Sequence, residues 1–315
     1  MLLKIHDVSR TNGSDFALSN INFSLERNGR VALAGETGSG KSTLLKIIGG
    51  LLDADSGKVI FRNRNVVGPS QKLVPGHPEI AYLSQHFDLP KFLRVEQVLA
   101  YANSLSRKQA DEIYSICRIG HLLKRKTDEL SGGERQRIAI ARLLITKPKL
   151  LLLDEPYSNL DSVLKNILKQ VIQEIGLKLN LSIILVSHDP ADTLSWADQI
   201  MVLKDGNILQ VGTPKDIYEN PINQYVAGLF GSYIQLSPVA LKVLGITSKT
   251  TRIIRPENIE VFKTKAKVNT GKILSIVYFG THYEIEIKAG KWKLLANAKE
   301  NQFVIGDKVK VRILK

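Results

Sequence analysis

The chain has 315 residues, enough for two domains or one large one, and 43% of them are apolar, so a sizeable core can form. A single cysteine, Cys117, excludes an internal disulfide framework and fits a reducing, cytoplasmic setting. The formal charge is +14, and residues 232–315 hold 16 Lys and Arg against 6 Asp and Glu, a net +10 of that total. This step in charge predicts a change of domain near residue 231.

The start "MLLKIHDV" is interrupted by Lys4, His6 and Asp7, which argues against a signal peptide. Apolar runs such as "LSIILVS" are far too short to span a bilayer. A role at a membrane therefore calls for a partner. "GRVALAGETGSGKSTLLKIIGG" reads as strand, glycine loop and helix. Val31, Leu33 and Ala34 form the strand, and Leu44, Leu45, Ile47 and Ile48 form the apolar face of the helix. The loop "GETGSGKST", residues 35–43, matches the phosphate-loop pattern through Gly35, Gly40, Lys41 and Ser42. Glu36, Thr37, Gly38 and Ser39 complete the turn whose amides surround a phosphate, and the helix adds its positive dipole end. Lys41 is placed to reach the β- and γ-phosphates, Ser42 to ligate magnesium and Thr43 to bind the α-phosphate.

Residues 88–145 lose the strand-like runs and show helical spacing in "VEQVLAYANSL" and "ADEIYSICRIGHLL", a helical insertion. Within it lies "LSGGERQR", residues 130–137, where two glycines open a basic helix at a cost of about 1 kcal/mol each relative to alanine. "KLLLLDEP" and "LSIILVSHD" are continuous apolar runs, as expected of strands buried on both faces of a parallel sheet. Asp154, at the end of the first, is placed to hold magnesium, and Glu155 beside it to accept a proton from an attacking water. After "GLFGSYIQLSP" come short alternating runs punctuated by Gly271, Gly280, Gly290 and Gly306, which predict a small antiparallel β domain.

In this order the motifs resemble those of the ATP-binding subunits of ABC transporters, from residue 2 to about 231. Gln85 in "AYLSQHF" resembles the Q-loop, "LSGGERQR" the signature, "LLLLDEP" the Walker B strand, "SNLD" the D-loop and His188 in "VSHD" the switch histidine. The resemblance implies a P-loop NTPase with a RecA-like core plus antiparallel β and helical subdomains (residues 1–231). An all-β, OB-like barrel of the TOBE type (residues 232–315) would follow. It also implies a head-to-tail homodimer in which Ser131, Gly132 and Gly133 of one copy meet the γ-phosphate bound by the other. Gln85 would contact magnesium or the water, His188 would hold the γ-phosphate and Glu155, and Asp161 would cross the interface. At the usual adenine-stacking position stands Asn12, and Phe16 is the candidate replacement.

"RIIRPENIEV" (252–261) and "GTPKDIYENP" (212–221) resemble importer ATPases with a TOBE domain. The resemblance then implies ATP and magnesium as cofactors, a separate permease, an external solute-binding protein and a peripheral place on the cytoplasmic face of the membrane. The cargo class is an ion, a polyamine or a sugar. The alternatives are an exporter ATPase, which the "RPE" segment disfavours, and a soluble ABC ATPase acting on nucleic acid. The basic barrel with Tyr278, Phe279, Tyr283 and Trp292 raises the latter reading. Against it stands the single nucleotide domain with no long coiled-coil insertion, so nucleic acid is not the expected partner.

Overall fold

A computed structural model describes residues 1–13, 15–85, 88–244, 249–264 and 270–314, with the backbone alone at Asn12, Asp15, Phe16, Val243 and Thr270. The chain forms two compact units, Met1–Lys215 and Asp216–Lys315.

In the first unit, strands β1 (Leu3–Asn12) and β2 (Asp15–Leu25) form an antiparallel pair. Next come β3 (Arg30–Ala34), helix α1 (Lys41–Ile48), β4 (Ser56–Phe61), β5 (Arg64–Asn65) and β6 (Ile80–Leu83). Helices α2 (Val95–Ala102), α3 (Arg107–Ile116) and α4 (Gly132–Leu144) occupy the stretch with helical periodicity. Then follow β7 (Leu150–Asp154), α5 (Ser162–Lys178), β8 (Ser182–Val186), α6 (Pro190–Leu194), β9 (Gln199–Lys204) and β10 (Asn207–Gly212).

Six strands form one sheet in the order β10-β9-β3-β8-β7-β6, parallel from β9 to β6 with β10 antiparallel at the edge. Every residue of β7 and β8 is buried, which is why both read as unbroken apolar runs rather than alternating ones. A second, antiparallel sheet runs β2-β1-β4-β5. Leu44, Leu45, Ile47 and Ile48 of α1 join Leu3, Ile5, Leu33, Phe61 and Leu152 in the core that holds the two sheets together. Burial of each such side chain contributes about 1.5–3 kcal/mol.

The second unit begins in helix α7 (Pro214–Glu219) and continues through α8 (Gln224–Leu229), β11 (Ile234–Leu236), α9 (Pro238–Val243) and β12 (Arg252–Ile254). An antiparallel sheet in the order β13-β17-β14-β15-β16 completes it, from β13 (Ile259–Lys263), β14 (Thr270–Tyr278), β15 (Tyr283–Ala289), β16 (Trp292–Ala298) and β17 (Lys308–Ile313). Ile273, Ile285, Ile287, Leu294, Val309 and Val311 line its interior. Residues 216–231 group with this unit, although the charge step falls at 231. The reason is Arg255, the arginine of "RPE". Its buried guanidinium stacks on the Tyr218 ring at 4.2 Å and donates to the carbonyls of Tyr218, Ala227, Gly231 and Ser232.

Candidate functional site

The phosphate loop turns between β3 and α1. Gly35 (φ 148°) and Gly40 (φ 97°) lie in backbone regions that favour glycine. A Cβ on Gly35 would stand 2.3 Å from the Leu203 carbonyl oxygen, and one on Gly40 the same distance from that of Ala17. The glycines therefore permit both the turn and its close seating on β9 and β2. The Lys41 ammonium donates to the carbonyls of Gly35 (2.7 Å) and Glu36 (2.6 Å) and to Ser39 Oγ (3.2 Å). Burial lowers the lysine's pKa, against the opposing pull of Glu155, Asp154 and Glu36.

Register brings the acidic end of β7 beside this loop. Ser42 Oγ donates to Asp154 Oδ1 at 3.0 Å, and the hydroxyl of Tyr82, on neighbouring β6, donates to Asp154 Oδ2 at 2.9 Å. Burial, followed by the charge of Asp154, pushes the Tyr82 phenol above its ordinary value, so it stays a donor. Tyr82 escaped sequence reasoning, because its contact depends on the pairing of β6 with β7; the signal was only the "AYLSQ" strand end.

Glu155 follows Asp154 with φ 51°, a left-handed conformation that is strained for a non-glycine residue. Its amide donates to the Val186 carbonyl of β8 (3.1 Å), which holds the turn. The carboxylate, 15% exposed, lies 2.8 Å from Nδ1 of His188, whose side chain is 73% exposed. Behind His188, the Ser187 hydroxyl donates to buried Asp192 (2.8 Å), and Lys169 (2.7 Å) and Lys165 (2.9 Å) of α5 pair with the same carboxylate. That anchor was also invisible in the sequence.

Lys41, Ser42, Thr43, Glu155, His188 and Gln85 line one cleft of about 650 Å³ together with Thr37, Gly38 and Gly40. Gln85 also lines a neighbouring groove of about 680 Å³ with Asp88, Leu89, Thr127 and Gly132. Ser131, Gly132 and Gly133 are not among the residues of the phosphate cleft. Ser131 is the N-cap of α4. Its hydroxyl accepts from the Glu134 amide (3.3 Å), while Glu134 Oε2 accepts from the Ser131 amide (2.8 Å), a capping box. A Cβ on Gly133 would touch Leu164 at 3.3 Å, but one on Gly132 would meet no described residue within 4 Å. Asp161 caps α5 by accepting from the amides of Val163 and Leu164, both at 2.9 Å. The Asn12 and Phe16 side chains, and His86 and Phe87 of the "HFDLPKFLRV" groove stretch, lie outside the described residues.

The profile of the ABC transporter family matches residues 18–158, and that of the TOBE domain matches residues 253–314. The spermidine/putrescine import ATP-binding protein PotA of Clostridium acetobutylicum is 32% identical over 340 residues, covering 100% of this chain and 94% of that protein. The glucose import ATP-binding protein GlcV of Saccharolobus solfataricus is 34% identical over 300 residues, covering 87% of this chain and 85% of that protein. Among solved structures, cbiO1 from Clostridium perfringens, part of an ABC transporter complex, aligns with a TM-score of 0.61 at 29% identity, covering 69% of this chain and 90% of that one. A dimeric bacterial ABC transporter cassette aligns with a TM-score of 0.58 at 27% identity, covering 68% and 99%. With a phosphate loop, an acidic strand end and a glutamate–histidine pair gathered in one cleft, and a TOBE domain after them, the chain belongs to the ABC transporter family as an ATP-binding, ATP-hydrolysing subunit.

Proposed function

We propose that two copies of this chain pair head to tail, hydrolyse ATP between them and drive uptake of a small solute through a separate permease. The observation that carries the pairing is the open, glycine-bearing start of α4. Ser131 and Gly132 stand apart from the phosphate cleft of their own chain, and among the described residues none demands a glycine at 132. A helix N-terminus with a bare amide is a ready seat for a phosphate. A second copy supplies one.

In this reading Lys41 exchanges the carbonyls of Gly35 and Glu36 for β- and γ-phosphate oxygens. The residues from Gly35 to Thr43 cradle the rest. Ser42 and Asp154 form a pair of hard oxygen donors only 3.0 Å apart, which suits magnesium, an ion that takes its remaining ligands from water and phosphate. They would hold that ion with Gln85 beside them, and when bound it neutralises charge on the phosphates. Tyr82 fixes the Asp154 carboxylate. Glu155 takes the proton of the attacking water, and His188 holds Glu155 through Nδ1 while serving the γ-phosphate. Asp161, at the head of α5, lies at the copy-to-copy interface. Phe16 is the proposed adenine platform.

Among the described residues no helix is long and apolar enough to cross a membrane. The stretch of the neighbouring groove formed by Gln85, Asp88 and Leu89 is the proposed seat of a permease segment at the cytoplasmic face of the membrane, its Gly132 side being left for the second copy. An external binding protein would deliver the solute. The polyamine-import relative matches this chain over its whole length, TOBE domain included, and favours a polyamine over a sugar as the cargo. Ser131→Arg tests the pairing. It should abolish turnover while a fluorescent ATP analogue still binds the phosphate loop; normal turnover would remove Ser131 from the reaction.

A further inference from the structure

The capping box at the start of α4 places a negative charge where the pairing needs a positive end. Glu134 sits three residues after Ser131, and its carboxylate is bound to the Ser131 amide at 2.8 Å. For an isolated helix this charge is favourable, since it complements the dipole. For a helix that must receive the γ-phosphate of a second copy, the same carboxylate repels the ligand.

The chain answers this with Arg125. Its Nη1 donates to Glu134 Oε1 at 3.1 Å, and its Nη2 donates to the Glu129 carbonyl. Arg125 is itself anchored by the backbone. Its carbonyl accepts from Val95, and the residues around it are tied to the start of α2 by the bonds from Glu96 to Leu123 (2.9 Å) and from Thr127 to Leu93 (3.0 Å). Glu134 is only 18% exposed while Arg125 is 42% exposed, so the carboxylate is the more enclosed partner. Burial pushes the Glu134 carboxyl up, but its bonds with Ser131 and the charges of Arg125 and Arg137 outweigh it and hold it below its ordinary pKa. The cap itself needs only an acceptor, which a glutamine supplies equally well.

We propose that Arg125 is a positioning residue of the ATPase reaction, neutralising Glu134 so that the carboxylate capping Ser131 does not repel the γ-phosphate bound by the opposite copy. This rests on the head-to-tail reading above. A unit charge roughly 10 Å from an anion, at an effective dielectric constant of about 20, alters its binding on the order of tenfold.

The test is a double-mutant cycle on the full chain, read as kcat/KM for ATP. Arg125→Gln should lower kcat/KM about tenfold, with part of the loss recovered as salt is raised. Binding of a fluorescent ATP analogue to the phosphate loop should stay unchanged, which shows the variant is folded. Adding Glu134→Gln should restore kcat/KM to about the wild-type level, because the pair then carries no net charge, as it does in the wild type. A double variant as impaired as Arg125→Gln would overturn the proposal and make Arg125 a strut for residues 125–129. Wild-type kcat/KM in Arg125→Gln would overturn it too. Full turnover in Ser131→Arg, measured alongside, would instead sink the pairing beneath it.

Discussion

Replacing Gly132 by alanine should make the chain more stable and less active at once. Gly132 opens α4 in ordinary right-handed helix, and an added Cβ meets no described residue within 4 Å. Alanine is favoured over glycine there by about 0.5–1 kcal/mol, through helix propensity and the reduced freedom of the unfolded chain. For a unit of this size that corresponds to a rise of roughly 1–4 °C in melting midpoint. Gly133 is the internal control. Its Cβ would press on Leu164 at 3.3 Å, so the same exchange should bring little or no gain. If the space above Gly132 receives the nucleotide of a second copy, a methyl group there displaces it by about 1 Å, enough to cost about 100-fold in turnover. Scanning fluorimetry and a coupled phosphate-release assay on the same preparation read both effects. Wild-type turnover at a raised midpoint would mean that the open space above Gly132 receives no nucleotide. Lost turnover at a lowered midpoint would contradict the prediction as well, since the loss would be one of folding.

Two further outcomes follow from the geometry. Tyr82→Phe removes the donor to Asp154 and should cost about 1.5 kcal/mol of stability and raise the magnesium needed for half-maximal hydrolysis by about tenfold; an unchanged magnesium titration would remove Tyr82 from the site. Asp198 is opposed by burial but held below its usual pKa by Arg30, whose guanidinium lies 2.6 Å away. A depressed carboxylate stabilises the fold above its unfolded pKa, near 4, and loses that contribution as pH falls through its lower folded value. Urea midpoints at about pH 5 and pH 3 should therefore converge in Asp198→Asn relative to the wild type, and equal slopes would count against the pair.

The phosphate loop, β7 and β8 were readable because their signals are local: glycines at fixed spacing, and apolar runs long enough to bury both faces. The five-stranded sheet was readable for a similar reason, since β15 and β17 alternate residue by residue. What escaped depends on neighbours distant in sequence. Tyr82 meets Asp154 only because β6 lies beside β7. Asp192 is explained only when α5 brings Lys165 and Lys169 to it. Arg255 gathers carbonyls 23 to 37 residues upstream, which charge counting along the chain cannot register. Asp161 shows the opposite limit, since its cap on α5 fully occupies one carboxylate oxygen and is by itself a sufficient structural reason for the residue.

The proposed pairing of two copies into one ATPase stands or falls with Glu155→Gln, which keeps the shape of the side chain beside His188 and removes its capacity to take a proton. With ATP and magnesium at saturation, light scattering coupled to size exclusion should show this variant as a stable dimer that retains uncleaved ATP, and as a monomer once nucleotide is removed. A monomer at saturating ATP and magnesium, in a variant that binds nucleotide but does not hydrolyse it, would contradict the account.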